Sequence, residues 1–223
     1  APDMVPYGDL NPIAEQTFAF SRVNQGRVKQ SALMLGYIGR LDGVGTLNLG
    51  IQKARFRGSS IDGRSGAATV SRDDPWLYNA TLGIELTPSL SVYAGTQKGL
   101  EDSGAAPENA LNRNEQLPPT RSTQYEGGVR WKFHGGQLVV NAFQIDKPYF
   151  SFDDGGNFAR QGNVRHRGIE TSLSGHFGKR LNVVAGAVFM QPRLSIGGRP
   201  AGTPSTFGRI DVTYRTDIFG GLT

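Results

Sequence analysis

Hydrophobic and polar residues alternate with a period of two along most of the chain. In residues 123–133, Tyr125, Val129, Trp131 and Phe133 fall on one face together with Gly127, and Gln124, Glu126, Arg130 and Lys132 fall on the other. Successive side chains of a strand point to opposite sides, so this segment is predicted to be a strand with one greasy and one charged face. The pattern recurs in residues 76–86, where Trp76, Tyr78, Ala80, Leu82, Ile84 and Leu86 oppose Asn79, Thr81 and Glu85. It recurs in residues 167–177, where Ile169, Leu173 and Phe177 oppose Glu170, Ser172, Ser174 and His176. In residues 209–218, Ile210, Val212, Tyr214 and Ile218 oppose Arg209, Asp211, Arg215 and Asp217. Residues 90–98, 138–147 and 181–190 read as strands with less clear faces, and 17–23, 28–40 and 45–57 as earlier strands. The sum is about ten to eleven strands of roughly ten residues, the length of a tilted membrane-crossing strand.

The connections sharpen this picture. Residues 86–89, 134–136 and 177–179 are short turns; between them lie long segments at 57–75, 99–122, 148–166 and 191–206. Short and long connections alternate, as in a membrane barrel with short periplasmic turns and long outer loops. By that parity residues 41–45 form a periplasmic turn and residues 24–27 a short outer one. Trp76, Tyr78 and Tyr125 fall at the long-loop ends of their strands, whereas Trp131, Phe133 and Phe177 fall at the short-turn ends. Two aromatic girdles are expected where tilted strands cross the two interfaces. A soluble sandwich also alternates, but a closed soluble barrel fills its interior with apolar side chains rather than charges.

Composition narrows the classes further. Hydrophobic residues make up 37% of the 223 and charged residues 19%, with 31 glycines. That is too little charge for a disordered chain, and too low a hydrophobic share for an ordinary soluble core, so polar and apolar residues alternate rather than segregate. The net charge of +5 comes from scattered lysines and arginines, with no run of the kind that marks a nucleic-acid arm. There is no cysteine, hence no disulfide frame and no thiolate metal site. His134, His166 and His176 do not pair at ligand spacing, and no metal site is expected. Asp153-Asp154-Gly155-Gly156-Asn157 lacks the ligand spacing of a calcium loop and is expected to be a tight turn. Nucleophile-elbow, phosphate-loop and dinucleotide motifs are absent. Glu126, Arg130, Glu170, Arg209 and Arg215 are expected to line a wet inner wall rather than to form a catalytic cluster. No catalytic residues are assigned, and the chain is not expected to be an enzyme.

From Asp74 onward the order of motifs resembles the C-terminal half of the TonB-dependent siderophore receptor barrel. The resemblance begins at Asp74-Pro75-Trp76-Leu77-Tyr78 and the strand Pro88-Ser89-Leu90-Ser91-Val92-Tyr93-Ala94-Gly95. It continues through Lys98-Gly99-Leu100-Glu101 and Asn112 to Pro119, then Arg121-Ser122-Thr123-Gln124-Tyr125-Glu126-Gly127-Gly128-Val129-Arg130. Asn141 to Pro148, Arg167-Gly168-Ile169-Glu170 and Gly198-Arg199-Pro200 with Pro204 complete it, over about two thirds of the chain. The resemblance implies an all-β, antiparallel transmembrane barrel of about twenty-two strands, of which residues 1–223 form a partial barrel domain without the plug domain. It implies residence in the bacterial outer membrane, contact with outer-membrane lipid, and uptake of a ferric siderophore driven by the TonB complex through the missing plug. Iron then enters only as part of the ligand, and no cofactor is expected. A complete small barrel, acting as a pore or an outer-membrane enzyme, is the alternative.

For ligand binding, the expected residues are Tyr149, Phe150, Phe152, Phe158 and Arg160, with Arg165 following. Rings suit the organic part of an anionic ferric chelate, and guanidiniums suit its charge. The competing reading packs the same rings into a hairpin extension and the upper girdle.

Overall fold

The computed structural model describes residues 23–216. The expected strand at 17–23 lies outside this range except for Val23, as do Asp217, Ile218 and the C-terminal residues. Ten strands are described: β1 (Gln25–Leu41), β2 (Gly45–Ile61), β3 (Ala68–Asp73), β4 (Trp76–Glu85), β5 (Leu90–Glu101), β6 (Thr120–Phe133), β7 (Gly136–Phe152), β8 (Phe158–Phe177), β9 (Leu181–Leu194) and β10 (Thr206–Tyr214). All pairings are antiparallel, and the sheet runs β1-β2-β4-β5-β6-β7-β8-β9-β10, with β3 paired to the upper part of β2. Apart from β3, which folds back on β2 alone, each strand hydrogen-bonds to the next wall strand along the chain, which is how a wall in lipid satisfies backbone N–H and C=O groups that no water can reach.

The register fixes the two faces. Directly opposed residues of an antiparallel pair point the same way. Trp131 pairs with Leu90 and Leu138, Val129 with Val92 and Val140, and Gly127 with Ala94 and Ala142. Leu82 pairs with Leu47 and Ala94, and Leu173 with Leu138 and Ala185. These rows form one continuous apolar face. On the other face Arg130 pairs with Ser91, Glu126 with Gly95, and Glu170 with Asn141. Arg209, opposite Gly186, is on that same inner face. The girdles fall where the pattern places them. Trp76, Tyr78 and Tyr125 are exposed on the apolar side near the long-connection end. At the other end Trp131 and Phe133 lie 5.4 Å apart, and Phe133 and Phe177 6.3 Å, between ring centroids.

Several boundaries differ from the sequence expectation, for one physical reason. Alternation marks only the stretch between the interfaces; above it both faces are wet and the periodic signal stops. The strands continue there anyway. The long segment expected at 57–75 contains the end of β2 and all of β3, which hairpins back along β2 from Phe56–Asp73 to Ile61–Ala68. The long segment at 148–166 is mostly strand: β7 and β8 run up together, and only residues 153–157 turn. The expected outer turn at 24–27 falls largely inside β1. Leu194, Glu101 and Thr120 likewise extend β9, β5 and β6 into segments expected to be loop. The tight turn expected at Asp153 is present. Its Oδ1 accepts the Asn157 N–H at 2.8 Å, and Gly156 has φ +79°.

The periplasmic turn between β6 and β7 shows why glycine is needed there. Gly135 sits at φ +80°, and a Cβ on it would clash with the carbonyl oxygen of His176. Gly135→Ala is expected to cost about 1–3 kcal/mol, from the left-handed conformation together with the backbone contact. Urea unfolding of the folded barrel in detergent is the measurement.

Candidate functional site at the outer end

The segment 102–119 between β5 and β6 organises the outer end. It has almost no regular structure, so its shape rests on side-chain anchors. Gln116 is buried; its backbone N–H donates to Thr69 Oγ1 of β3 at 2.7 Å, and its Nε2 donates to the Gly104 carbonyl at 2.9 Å. Asn112 pairs with the backbone of Phe158 at the start of β8, donating to its carbonyl at 3.1 Å and accepting its N–H at 2.8 Å. The Leu111 N–H reaches the Gly156 carbonyl at 3.0 Å. Ala106, Ala110 and Leu117 are buried against Phe150 and Phe158. One connection thus ties the β2–β3 hairpin to the β7–β8 hairpin.

Asp62, just after β2, is the hub on the β2–β3 side. Its Oδ1 accepts the backbone N–H groups of Arg64 at 2.8 Å and Ser65 at 2.7 Å. Its Oδ2 accepts Asn114 Nδ2 at 2.9 Å and Arg113 Nε at 3.1 Å. The Ser65 N–H first, then the Asn114 amide, hold this carboxyl well below the ordinary carboxylate range, against the opposing effect of burial. Nearby, Arg121 forks onto Asp73 and joins β6 to β3; that guanidinium holds the Asp73 carboxyl low, and Asp73 raises Arg121 in return. A concave surface of about 530 Å³ opens beside the hub, lined by Asp62, Thr69, Glu108 and Arg113 among others.

The residues expected to contact ligand lie on or beside the β7–β8 hairpin, but in different environments. Phe150 and Phe158 stack with centroids 6.5 Å apart and pack beneath segment 102–119. Phe152 meets Phe158 edge-on at 5.4 Å and remains exposed. Tyr149 sits at the register shift between Pro148 and Phe150, half-buried. Arg160 is exposed, and its guanidinium donates to Asn163 Oδ1 at 2.7 Å. Arg165 is committed to Asp146 at 2.6 Å. The structure brings the four rings and Arg160 onto one hairpin and packs two of the rings, partly buried, into its support. Sequence reasoning did not find segment 102–119 as the linchpin. The available signal was its density of Asn, Gln and Glu between two strands, which suits backbone-binding loops.

Below this surface the inner wall is polar. Gln97 Nε2 donates to Gln124 Oε1 at 3.1 Å, and Gln124 Nε2 to Glu126 Oε2 at 3.0 Å, a ladder running from β5 to β6. Tyr93 lies over Gly128 on the same face. The described residues contain no group of three or more His, Asp or Glu placed to hold a metal ion. No described helix is long and apolar enough to cross a membrane, which says nothing of strands.

An antiparallel wall with a girdled apolar exterior, a charged interior and knitted connections at one end is the wall of an outer-membrane barrel. The family described as TonB dependent receptor-like, beta-barrel, matches residues 2–223, and the chain belongs to that family. It is therefore an outer-membrane protein of a receptor family, not an enzyme. No curated protein matches the sequence. Among solved structures, it is similar to the siderophore receptor PiuA from Acinetobacter baumannii, with TM-score 0.72 and 18% identity over 88% of this chain and 32% of that one. It is similar to BauA, the ferric preacinetobactin receptor from the same organism, with TM-score 0.68 and 22% identity over 94% of this chain and 33% of that one. It is also similar to the ferric-catecholate import receptor Fiu from K12 E. coli, with TM-score 0.68 and 17% identity over 86% of this chain and 32% of that one. At these identities the likeness establishes the fold. The chain spans about a third of the length of each of these receptors.

Proposed function

We propose that the chain is part of the wall of a receptor that captures a ferric siderophore at the cell surface and imports it with energy from the TonB complex. The plug domain through which TonB acts would seat against the polar inner face. The observation that carries this reading is the fused outer surface. A hairpin with Tyr149, Phe152 and Arg160 is held by segment 102–119 above a wall of Gln97, Gln124, Glu126 and Arg130. The exposed Phe152 ring, the half-buried Tyr149 and the Arg160 guanidinium at the entrance suit an organic, anionic chelate, and the hydrophilic wall beneath suits its passage. The receptors of similar fold, whose names record ferric-catecholate and ferric preacinetobactin ligands, support the same class.

Titrating the receptor that carries this chain with ferric catecholate, hydroxamate and carboxylate siderophores tests the reading. Saturable binding of one class is expected, with Tyr149→Ala and Arg160→Ala together weakening it about tenfold, the scale of losing one aromatic and one charged contact. Unchanged affinity in the double variant would remove these residues from the site. Binding of another nutrient, with no ferric chelate bound, would remove the siderophore assignment.

A further inference from the structure

Outside the outer surface and the inner wall, the most distinctive chemistry lies on the outward face of β1–β3. Along the upper half of β2 burial alternates strictly. Ala54, Phe56, Gly58 and Ser60 are buried on the inner side, whereas Arg55 and Arg57 are exposed on the outward side. The register places Arg57 directly between Lys29 of β1 and Arg72 of β3. Three cations thus sit side by side at the spacing of neighbouring strands, about 4.8 Å, with Arg55 one alternate position below.

Like charges directly opposed across strands repel. Among the described residues nothing relieves them: Lys29, Arg55, Arg57 and Arg72 make no ion pair with any of these. The two nearby acids do not serve, since Asp73 is taken by Arg121 and Asp74 meets Lys53 only through its backbone carbonyl. On β8 the comparable outward arginines are matched, Arg165 by Asp146 and Arg167 by Gln144 at 2.8 Å. The β1–β3 group has no such match among the described residues, and there the cations are gathered on three adjacent strands.

Its height identifies what neutralises it. Along β2 the outward residues read Leu47, Leu49 and Ile51, then Lys53, Arg55 and Arg57. The change from apolar to basic comes at the level of Trp76, which pairs with Lys53 and lies under its ammonium at 5.5 Å from the ring centroid. An aromatic girdle marks the interface, so the cations begin where the hydrocarbon ends and face sideways into the leaflet rather than up into solvent. We propose that this patch is a docking site for the phosphorylated headgroup of an outer-leaflet lipid. Its acyl chains lie on the Leu47–Ile51 side of the girdle, and its phosphates lie among Lys29, Arg55, Arg57 and Arg72. A soluble anion would gain only the charges, whereas a lipid gains the charges and the apolar face beneath them together.

The test uses the receptor that carries this chain, purified in mild detergent and exchanged into lipid discs. The discs contain bis-phosphorylated lipid A or the same lipid stripped of phosphate, and retained lipid is counted by native mass spectrometry. Wild type should retain the phosphorylated form preferentially, and R55Q/R57Q/R72Q should reduce that retention at least about tenfold. The charge-keeping variant R55K/R57K/R72K should restore most of it. Heat-modified electrophoretic mobility checks that each barrel is folded. Should the triple variant not fold, Arg72→Gln alone, on the hairpin above the barrel wall, is expected to lower retention about threefold. Equal retention of the two lipid forms, unchanged retention in a folded Gln variant, or full displacement by inorganic phosphate alone would each overturn the proposal.

Discussion

Leu173→Arg is expected to destabilise the folded barrel by about 2–4 kcal/mol, whereas Ser172→Arg, one residue earlier, should change stability by no more than about 0.5 kcal/mol. The contrast follows from the register alone. Leu173 lies opposite Leu138 and Ala185 on the apolar face, midway between Ile169 and Phe177 on the same strand. An arginine there places a guanidinium in hydrocarbon, where the cost is greatest near the midplane. Ser172 lies opposite Val139 and Gly186 on the inner face, exposed, on the same side as Glu170 and Glu126. An added cation there meets water and carboxylates. Urea titration of the receptor folded into vesicles separates the two; equal costs would mean that the faces have been assigned the wrong way or that the sheet does not face lipid.

Asp62→Ala is expected to release segment 102–119 from the β2–β3 hairpin. The carboxylate joins four partners from two segments: the N–H groups of Arg64 and Ser65, and the side chains of Arg113 and Asn114. Removing it leaves Arg113 without its counter-ion and the turn at 62–67 without its cap, and alanine supplies neither. Hydrogen exchange at the backbone amides of residues 104–117 should accelerate at least about tenfold, while amides in the middle of β6 and β7 stay protected. The pH dependence has a fixed sign. Because the folded-state carboxyl is lowered, its stabilisation is complete above the unfolded-state value of about 4 and is lost only as pH falls through the lowered value. Loop protection in the wild type should therefore be flat from neutral pH down to about 4, after correction for intrinsic exchange, and Asp62→Asn should remove the acid dependence. Loss of protection between pH 7 and 5 would contradict this role for Asp62.

The legible part of the fold is the part lipid dictates. Between the girdles every outward position needs an apolar side chain and every inward one tolerates charge. Tyr125 to Phe133 and Ile169 to Phe177 consequently announce both strand and face. The turn at 134–136 was readable between two such strands, and the one at 41–45 followed from the alternation of short and long connections. Above the upper girdle that constraint is gone. β3 carries Arg72 and Val70 on one side and Ser71 and Thr69 on the other, a pattern with no greasy face, and it forms because it pairs with β2. The upper β7–β8 hairpin is strand for the same reason.

By itself the sequence determined that this is an antiparallel membrane-barrel wall, where its interfaces lie, and which charges line its inner side, because side-chain alternation is a local property that survives in one dimension. Only the tertiary structure decided how the outer end is built. Asp62 with Arg113, Asn112 with Phe158, and Gln116 with Thr69 are partners separated by 51, 46 and 47 residues, chosen by which connections the sheet brings together. The same holds for Lys29, Arg57 and Arg72: unremarkable as scattered cations in a list of residues, they become one charged row when the register sets three strands side by side.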